Sequence, residues 1–138
     1  MSEIKVFILS ASTPFEKISK ILQIASEHAL GLKKISFITP NKKASDYLDK
    51  LLWEHPSESF LPHRLEGSTL PAFIQICEKP VFDGETTSFF NLTKEPLDPP
   101  FGLCKIYEIE ETKSPEKKKI FESKYKYYSQ RNYHLISL

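Results

Sequence analysis

Short apolar runs alternate with helically spaced apolar positions in the first third of the chain. The runs at Lys5–Leu9 and Lys34–Ile38 predict strands buried on both faces. Between and after them, apolar residues recur every three or four positions over Ile18–Leu32 and Ala44–Leu52, which predicts two helices. A strand–helix–strand–helix order favours parallel pairing in an α/β layer fold.

Residues with known capping preferences flank both helices. Ser12 or Thr13 can cap the first helix, with Pro14 in its first turn, and Gly31 is suited to its C-terminus. Asn41 can cap the second helix in the same way. These signals support the two helices independently of the apolar spacing.

The second half of the chain predicts three more strands and a last helix. Strands are expected at Ala72–Cys77, Ser88–Leu92 and Leu103–Ile109. The third of these alternates, so one face should be wetter, and Glu108 with its acidic neighbours fits a solvated strand edge. Ser114 caps a helix that should run to about Gln130. With no internal repeat or second composition, residues 1–138 are expected to form one domain.

One stretch, from Asp49 to Leu65, fits neither a linker nor a buried strand. It contains the only tryptophan, Trp53, together with Phe60 and Leu61, and it is stiffened by two prolines. Such large apolar groups either pack over the end of the second helix or form the centre of a partner interface. The residues alone leave both alternatives open.

Charge is unevenly distributed in a chain whose net charge is +1. Residues 113 to 131 hold seven Lys or Arg and two Glu, a net of +5, which leaves −4 for the remainder. A basic end on a near-neutral protein suggests one local acidic partner, since general nucleic-acid binders are basic over a wider face.

The last helix mixes these cations with aromatic residues. The pattern has three interpretations: a core stripe with a solvated face, a groove with an apolar floor and cationic rim for an acidic peptide, or a surface that stacks single-stranded nucleic acid. The residues concerned are Lys117, Lys118, Lys119, Phe121, Lys124, Tyr125, Lys126, Tyr127, Tyr128 and Arg131.

Motifs for catalysis and cofactor binding are missing from the sequence. The four glycines form no phosphate-binding motif, so a nucleotide site is not expected. His55 and His63 lack further metal ligands nearby, and no nucleophile motif is present. Cys77 and Cys104 are expected to be buried core residues without a disulfide. No catalytic residue, metal or cofactor is predicted, and a degenerate nucleotide-binding enzyme is the weakest alternative.

Membrane and export signals are also missing. No apolar run approaches the roughly 18 residues of a membrane span. The N-terminus does not have the pattern of a signal peptide. The cytoplasm is therefore the expected location.

Two segments resemble the chi subunit family of the bacterial DNA polymerase III holoenzyme, an accessory part of the clamp loader. The denser match is Tyr47-Leu-Asp-Lys-Leu-Leu-Trp53 followed by Pro56, Glu58-Ser-Phe60 and Pro62-His63. The other is Lys124-Tyr125-Lys126-x-Tyr128. The similarity spans nearly the full length, although residues 67–100 match only as strands and turns.

The resemblance implies a non-catalytic, Rossmann-like three-layer domain with a mostly parallel, mixed sheet. It implies two partners: the small psi subunit or a substitute partner, and the acidic, Phe-ending C-terminal tail of single-stranded DNA-binding protein. Contact with nucleic acid would be indirect, at the replisome of a bacterial cytoplasm; direct binding of single-stranded nucleic acid is the alternative.

Residue by residue, the resemblance assigns two surfaces. Trp53 and Phe60, with Leu61, fall on the psi side. The tail site falls on Lys118, Tyr125 and Lys126, with Lys124 as a further cation. A family arginine in this helix falls on Glu122, so Lys119 or Lys124 would have to supply the missing charge.

Overall fold

A computed structural model describes residues 3–54, 63–65, 73–100 and 102–138 of the chain. Within these ranges the chain forms three helices and seven strands. The helices are α1 (Pro14–Leu30), α2 (Lys42–Glu54) and α3 (Pro115–Gln130). The strands are β1 (Glu3–Ala11), β2 (Ile35–Ile38), β3 (His63–Leu65), β4 (Ile74–Cys77), β5 (Ser88–Asn91), β6 (Leu103–Glu111) and β7 (His134–Ser137).

The strands form one sheet in the order β3-β4-β2-β5-β6-β1-β7. Every pair of neighbouring strands in the described residues runs parallel. The α/β, Rossmann-like three-layer prediction is confirmed, and the sheet is more uniform than the mixed one expected. Parallel strands need a covered sheet on both faces, which agrees with their apolar composition.

Alternation along each strand divides the core into two clusters. On one face, α1 and α2 pack on alternate strand residues such as Leu9, Phe37 and Tyr107. On the other face, α3 packs on Val6, Ile106 and their neighbours. The connection between β5 and β6 helps to cover this second face, since its Leu97 belongs to the same cluster.

Four aromatic rings cross the α1–α2 face of the sheet. Phe37, Phe90, Tyr107 and Phe7 come from the adjacent strands β2, β5, β6 and β1, and they stack at centroid distances of 5.1, 5.9 and 5.2 Å. The parallel register brings these residues directly opposite one another. The resulting stack fixes that register, because a slip of one residue would turn each ring to the other face.

The predicted helix caps are present. The Thr13 hydroxyl accepts a hydrogen bond from the Glu16 backbone N–H at 3.1 Å, and the Glu16 carboxylate accepts one from the Ser12 N–H at 2.9 Å. Asn41 accepts from the Ala44 N–H at 2.8 Å, and Ser114 caps α3 through the N–H of its third residue. Each cap satisfies a backbone donor that helix geometry leaves unpaired.

The sequence pattern does not predict β3 and β7. Both have four residues or fewer and lie at the two edges of the sheet. An edge strand this short shows too few positions for a period of two to be recognised.

Cys77 and Cys104 are both buried, as expected, and neither forms a disulfide. Burial raises the pKa of the Cys104 thiol to about 11, so this thiol is an inert core group at neutral pH. Within the described ranges, no helix is long and apolar enough to cross a membrane.

Candidate functional site

Helix α3 has one side against the sheet and one side exposed. Phe121, Lys124 and Tyr128 are its buried residues, spaced three and four apart so that they lie on one face. Lys118, Tyr125 and Lys126 are exposed. Three of the four residues predicted for the tail site therefore lie on the outer side of one helix, and the fourth, Lys124, does not.

A cavity of about 260 Å³ opens between α3 and the edge of the sheet formed by β1 and β7. Ile8 and Ser137, which are register partners on those strands, form one wall. Phe121 and Tyr125 form the other, with ring centroids 6.1 Å apart. Tyr125 is 43% exposed although it is a large aromatic residue. The cavity can therefore receive an apolar side chain beside an aromatic ring that is not committed to the core.

The charges around this cavity have both signs. Glu110 and Glu122 line it. Lys118 and Lys126 lie four residues before and after Glu122, so helix geometry puts all three on one exposed strip. A ligand with an apolar end in the cavity would meet cations at the rim and two carboxylates inside it. Glu122 is thus the residue of this site that opposes an acidic ligand.

Lys124 belongs to the interior, and its prediction as an exposed cation of the tail site needs correction. Its side chain is 7% exposed, and its Nζ donates to Glu108 Oε1 at 2.7 Å and to the Thr93 carbonyl at 3.0 Å. A lysine held in this way cannot reach a ligand on the outer side of α3. It holds the helix against the sheet and against the connection that follows β5.

Glu108 is the centre of this buried network. It is 1% exposed and faces α3 from β6, and so it is not part of a solvated strand edge. Its Oε2 accepts hydrogen bonds from the Tyr128 hydroxyl at 2.6 Å and from Asn91 Nδ2 at 2.8 Å. With Lys124 on the other oxygen, the carboxylate is surrounded by donors, which is what a buried charge requires.

Burial dominates the electrostatics of the network. It raises the pKa of the Glu108 carboxyl, while the adjacent Lys124 ammonium acts in the opposite direction. Burial also raises the pKa of the Tyr128 phenol, and the Glu108 charge adds to that effect. The Tyr128 hydroxyl oxygen accepts from the Leu97 N–H at 3.0 Å, so the network reaches the β5–β6 connection as well.

The second predicted surface starts at the C-terminal end of α2. Trp53 lies in the last turn of this helix, and Phe60 and Leu61 fall outside the described residues. Helix α2 contacts β3 and β4, whereas α3 contacts β6 and β7. The two predicted surfaces therefore start from opposite faces of the sheet and from opposite edges.

Sequence reasoning missed Glu108 and Asn91 as partners of α3. A signal was available: Glu108 follows Cys104 and Ile106 at a period of two, so it shares their inward face. An acid on that face requires a cation from the layer above, and Lys124 is the α3 lysine spaced with Phe121 and Tyr128.

The described residues show no group of three or more His, Cys, Asp or Glu that could hold a metal ion. His55 falls outside them, so the prediction for the His55–His63 pair lies outside the described residues.

A comparison with curated proteins finds no match to the chain. A family model described as DNA polymerase III chi subunit, HolC, matches residues 1–136 of the 138. The match includes α2, α3 and every strand described above except the last residue of β7, Ser137. The chain therefore belongs to the DNA polymerase III chi subunit family.

Proposed function

We propose that this protein is a non-catalytic adaptor that links the clamp loader, through psi, to the acidic C-terminal tail of single-stranded DNA-binding protein. Membership of the chi family gives the chain an accessory role in DNA replication. The two partners come from the resemblance, and the two surfaces assigned to them belong to separate elements. An adaptor needs this separation, because both partners must bind at once.

The observation that carries the tail proposal is the cavity between α3 and β7. It offers an apolar floor for a terminal Phe, formed by Ile8, Phe121 and Tyr125. Lys118 and Lys126 on the exposed strip of α3 would attract the acidic residues and the terminal carboxylate. Because Glu110 and Glu122 line the same cavity, specificity would rest on the aromatic pocket more than on net charge.

The tail proposal predicts saturable binding of an acidic, Phe-ending peptide, measured by fluorescence anisotropy. Tyr125→Ala and Lys118→Glu should each weaken binding by about tenfold or more, as expected for a hot-spot contact. Glu122→Gln should strengthen binding, because it removes a repulsive charge from the cavity. Salt should weaken binding of the wild type, since exposed charges steer the peptide.

Two controls give this experiment its meaning. Lys33→Glu makes the same charge change at an exposed lysine just before β2, away from α3, and should leave binding unchanged. A peptide without its final Phe should bind poorly. Equal binding of the two peptides would rule out the pocket.

The alternative is direct binding of single-stranded nucleic acid, for which the exposed Tyr125 beside Lys118 and Lys126 offers a stacking ring among cations. Glu110 and Glu122 disfavour a phosphate backbone at this place. An oligonucleotide that bound more tightly than the tail peptide would support the alternative.

A further inference from the structure

The carboxyl end of the sheet has a topological switch point. Strands β1 and β6 are parallel neighbours, yet β1 leads into α1 on one face and β6 leads into α3 on the other. In open α/β sheets, ligands bind in the crevice formed where successive connections leave in opposite directions. This place has Phe121 alone in common with the lining of the cavity between α3 and β7 that the tail proposal uses.

Two adjoining cavities lie at this switch point, with volumes of about 210 and 300 Å³. One extends toward α3, and the other extends between α1 and α2. We call the pair the carboxyl-edge trough, because the two cavities share Lys17, Pro40, Leu92, Glu111 and Lys117. A ligand that fills both must cross these shared residues.

The middle of the trough is cationic. Lys17 of α1 and Lys117 of α3 approach the two oxygens of Glu111 at 3.4 and 3.2 Å. Lys94 also lines the trough and has no ion-pair partner within the described ranges. Lys124 is already paired with Glu108. The three remaining lysines of the trough therefore face one carboxylate, that of Glu111. The trough therefore favours a ligand that carries negative charge at its centre.

The ends of the trough are apolar. Ile18, Leu48 and Leu51 line the part between α1 and α2, together with Tyr47, which is 59% exposed. Ile120 and Phe121 line the part beside α3. The polar side chains of the walls, Thr39, Asn91 and Thr93, already form hydrogen bonds within the protein. The turn after β1 has no glycine to approach a pyrophosphate. Nucleic acid and nucleotides therefore fit poorly.

We propose that the carboxyl-edge trough is a second protein-binding site, which takes an internal peptide segment with acidic residues between leucine-sized side chains. The acidic residues would meet Lys17, Lys94 and Lys117, and an apolar side chain on each side of them would enter each cavity. This arrangement of apolar, charged and apolar regions matches the interior of a chain better than a chain end. The site goes beyond the proposed tail and psi contacts and does not depend on them.

The test uses a labelled, doubly capped peptide, acetyl-Asp-Leu-Asp-Asp-Leu-Asp-amide, and fluorescence anisotropy with the full chain. Ala44→Trp, which fills the cavity between α1 and α2, and Lys117→Glu should each weaken binding by about tenfold or more. Tyr47→Asp is a second blocking variant at an exposed position, in case Ala44→Trp fails to fold. Lys33→Glu and a peptide with serine in place of leucine are the matched controls.

Saturable binding that is lost in the trough variants and retained in Lys33→Glu would support the site. Three results would overturn it, of which the first is no saturable binding up to about 1 mM, the weak end of specific affinity. The second is equal binding of the serine peptide, of the fatty acid hexadecanoate or of an oligothymidylate. The third is displacement of the labelled peptide by the Phe-ending tail peptide, which would put both ligands in one place. The tail proposal fails instead if the peptide without its final Phe binds equally well, or if Tyr125→Ala binds the tail peptide like the wild type, so the two failures are distinguishable.

Discussion

At the scale of single residues, the environment decides what each lysine of α3 does. Lys118 and Lys126 are exposed and available to a partner, whereas Lys124 is buried against Glu108. The sequence shows only a run of cations among aromatics, because a residue's partner across the sheet is not visible in its local pattern. The resemblance selected Lys118, Tyr125 and Lys126, and the fold separates Lys124 from them.

His28 provides a pH-dependent test at the same scale. It is 7% exposed, and its Nδ1 lies 2.8 Å from the Ile24 carbonyl, to which it donates. Burial lowers its pKa; Lys105 and Lys33 act in the same direction, while the Ile24 hydrogen bond and Glu27 oppose them. The unfolded chain therefore binds a proton more readily, and the free energy of unfolding should fall as pH drops below about 6.5.

We expect the free energy of unfolding to fall less at acid pH in His28→Gln than in the wild type. Urea unfolding at pH about 7.5 and about 5.5, on either side of the ordinary histidine pKa, measures it. His134→Gln, at an exposed histidine, is the control and should keep the wild-type pH dependence. The same pH dependence in wild type and His28→Gln would show that His28 does not cause the loss of stability at acid pH.

At the scale of elements, the ion pair between α3 and β6 anchors the helix on which we propose the tail site. Glu108 and Lys124 join the helix, the strand and the β5–β6 connection through Asn91, Thr93 and Tyr128. Tyr125 and Lys126 are neighbours of Lys124 on the same turn of α3. Their positions on the outer side of the helix therefore depend on this anchor.

We expect Lys124→Met to destabilise the chain by about 3–5 kcal/mol, because it leaves the Glu108 charge buried without its cation. Lys118→Met, the matched change at an exposed lysine of α3, should stay within about 0.5 kcal/mol. Adding Glu108→Gln to Lys124→Met should recover part of the loss, since no buried charge then remains. Urea unfolding measures all three, and equal costs for the two lysines would contradict the anchor.

The elements with strong periodicity or caps could be predicted from the sequence. The α1 and α2 patterns, the Thr13, Asn41 and Ser114 caps and five of the strands were recognisable locally. β7 was not, because its four residues gain their role from pairing with β1. This strand also supplies Ser137 to the cavity between α3 and β7. The cavity therefore could not be predicted from the sequence of α3 alone.

At the scale of the whole molecule, the two proposed partner surfaces can work independently. Trp53 lies on α2, which packs at the β3–β4 side, and the tail cavity lies at the β1–β7 edge. Residues more than about 10 Å apart without shared partners usually act additively. We therefore expect the two proposed surfaces to act independently.

We expect Phe60→Ala to reduce capture of a purified psi protein, because aromatic residues dominate interface energies, and to leave tail-peptide binding unchanged. Tyr125→Ala should have the reverse effect, so each variant is the control for the other. Size-exclusion chromatography reports psi capture, and anisotropy reports the peptide. Loss of both activities in either variant would contradict two separate surfaces.

The proposed adaptor reaches DNA through the protein that coats it. The most direct measurement is biolayer interferometry on immobilised single-stranded DNA, either bare, coated with single-stranded DNA-binding protein, or coated with that protein lacking its C-terminal tail. We expect binding to the intact coat alone, and loss of that binding in Tyr125→Ala. Equal binding to bare DNA, or to the tail-less coat, would contradict it.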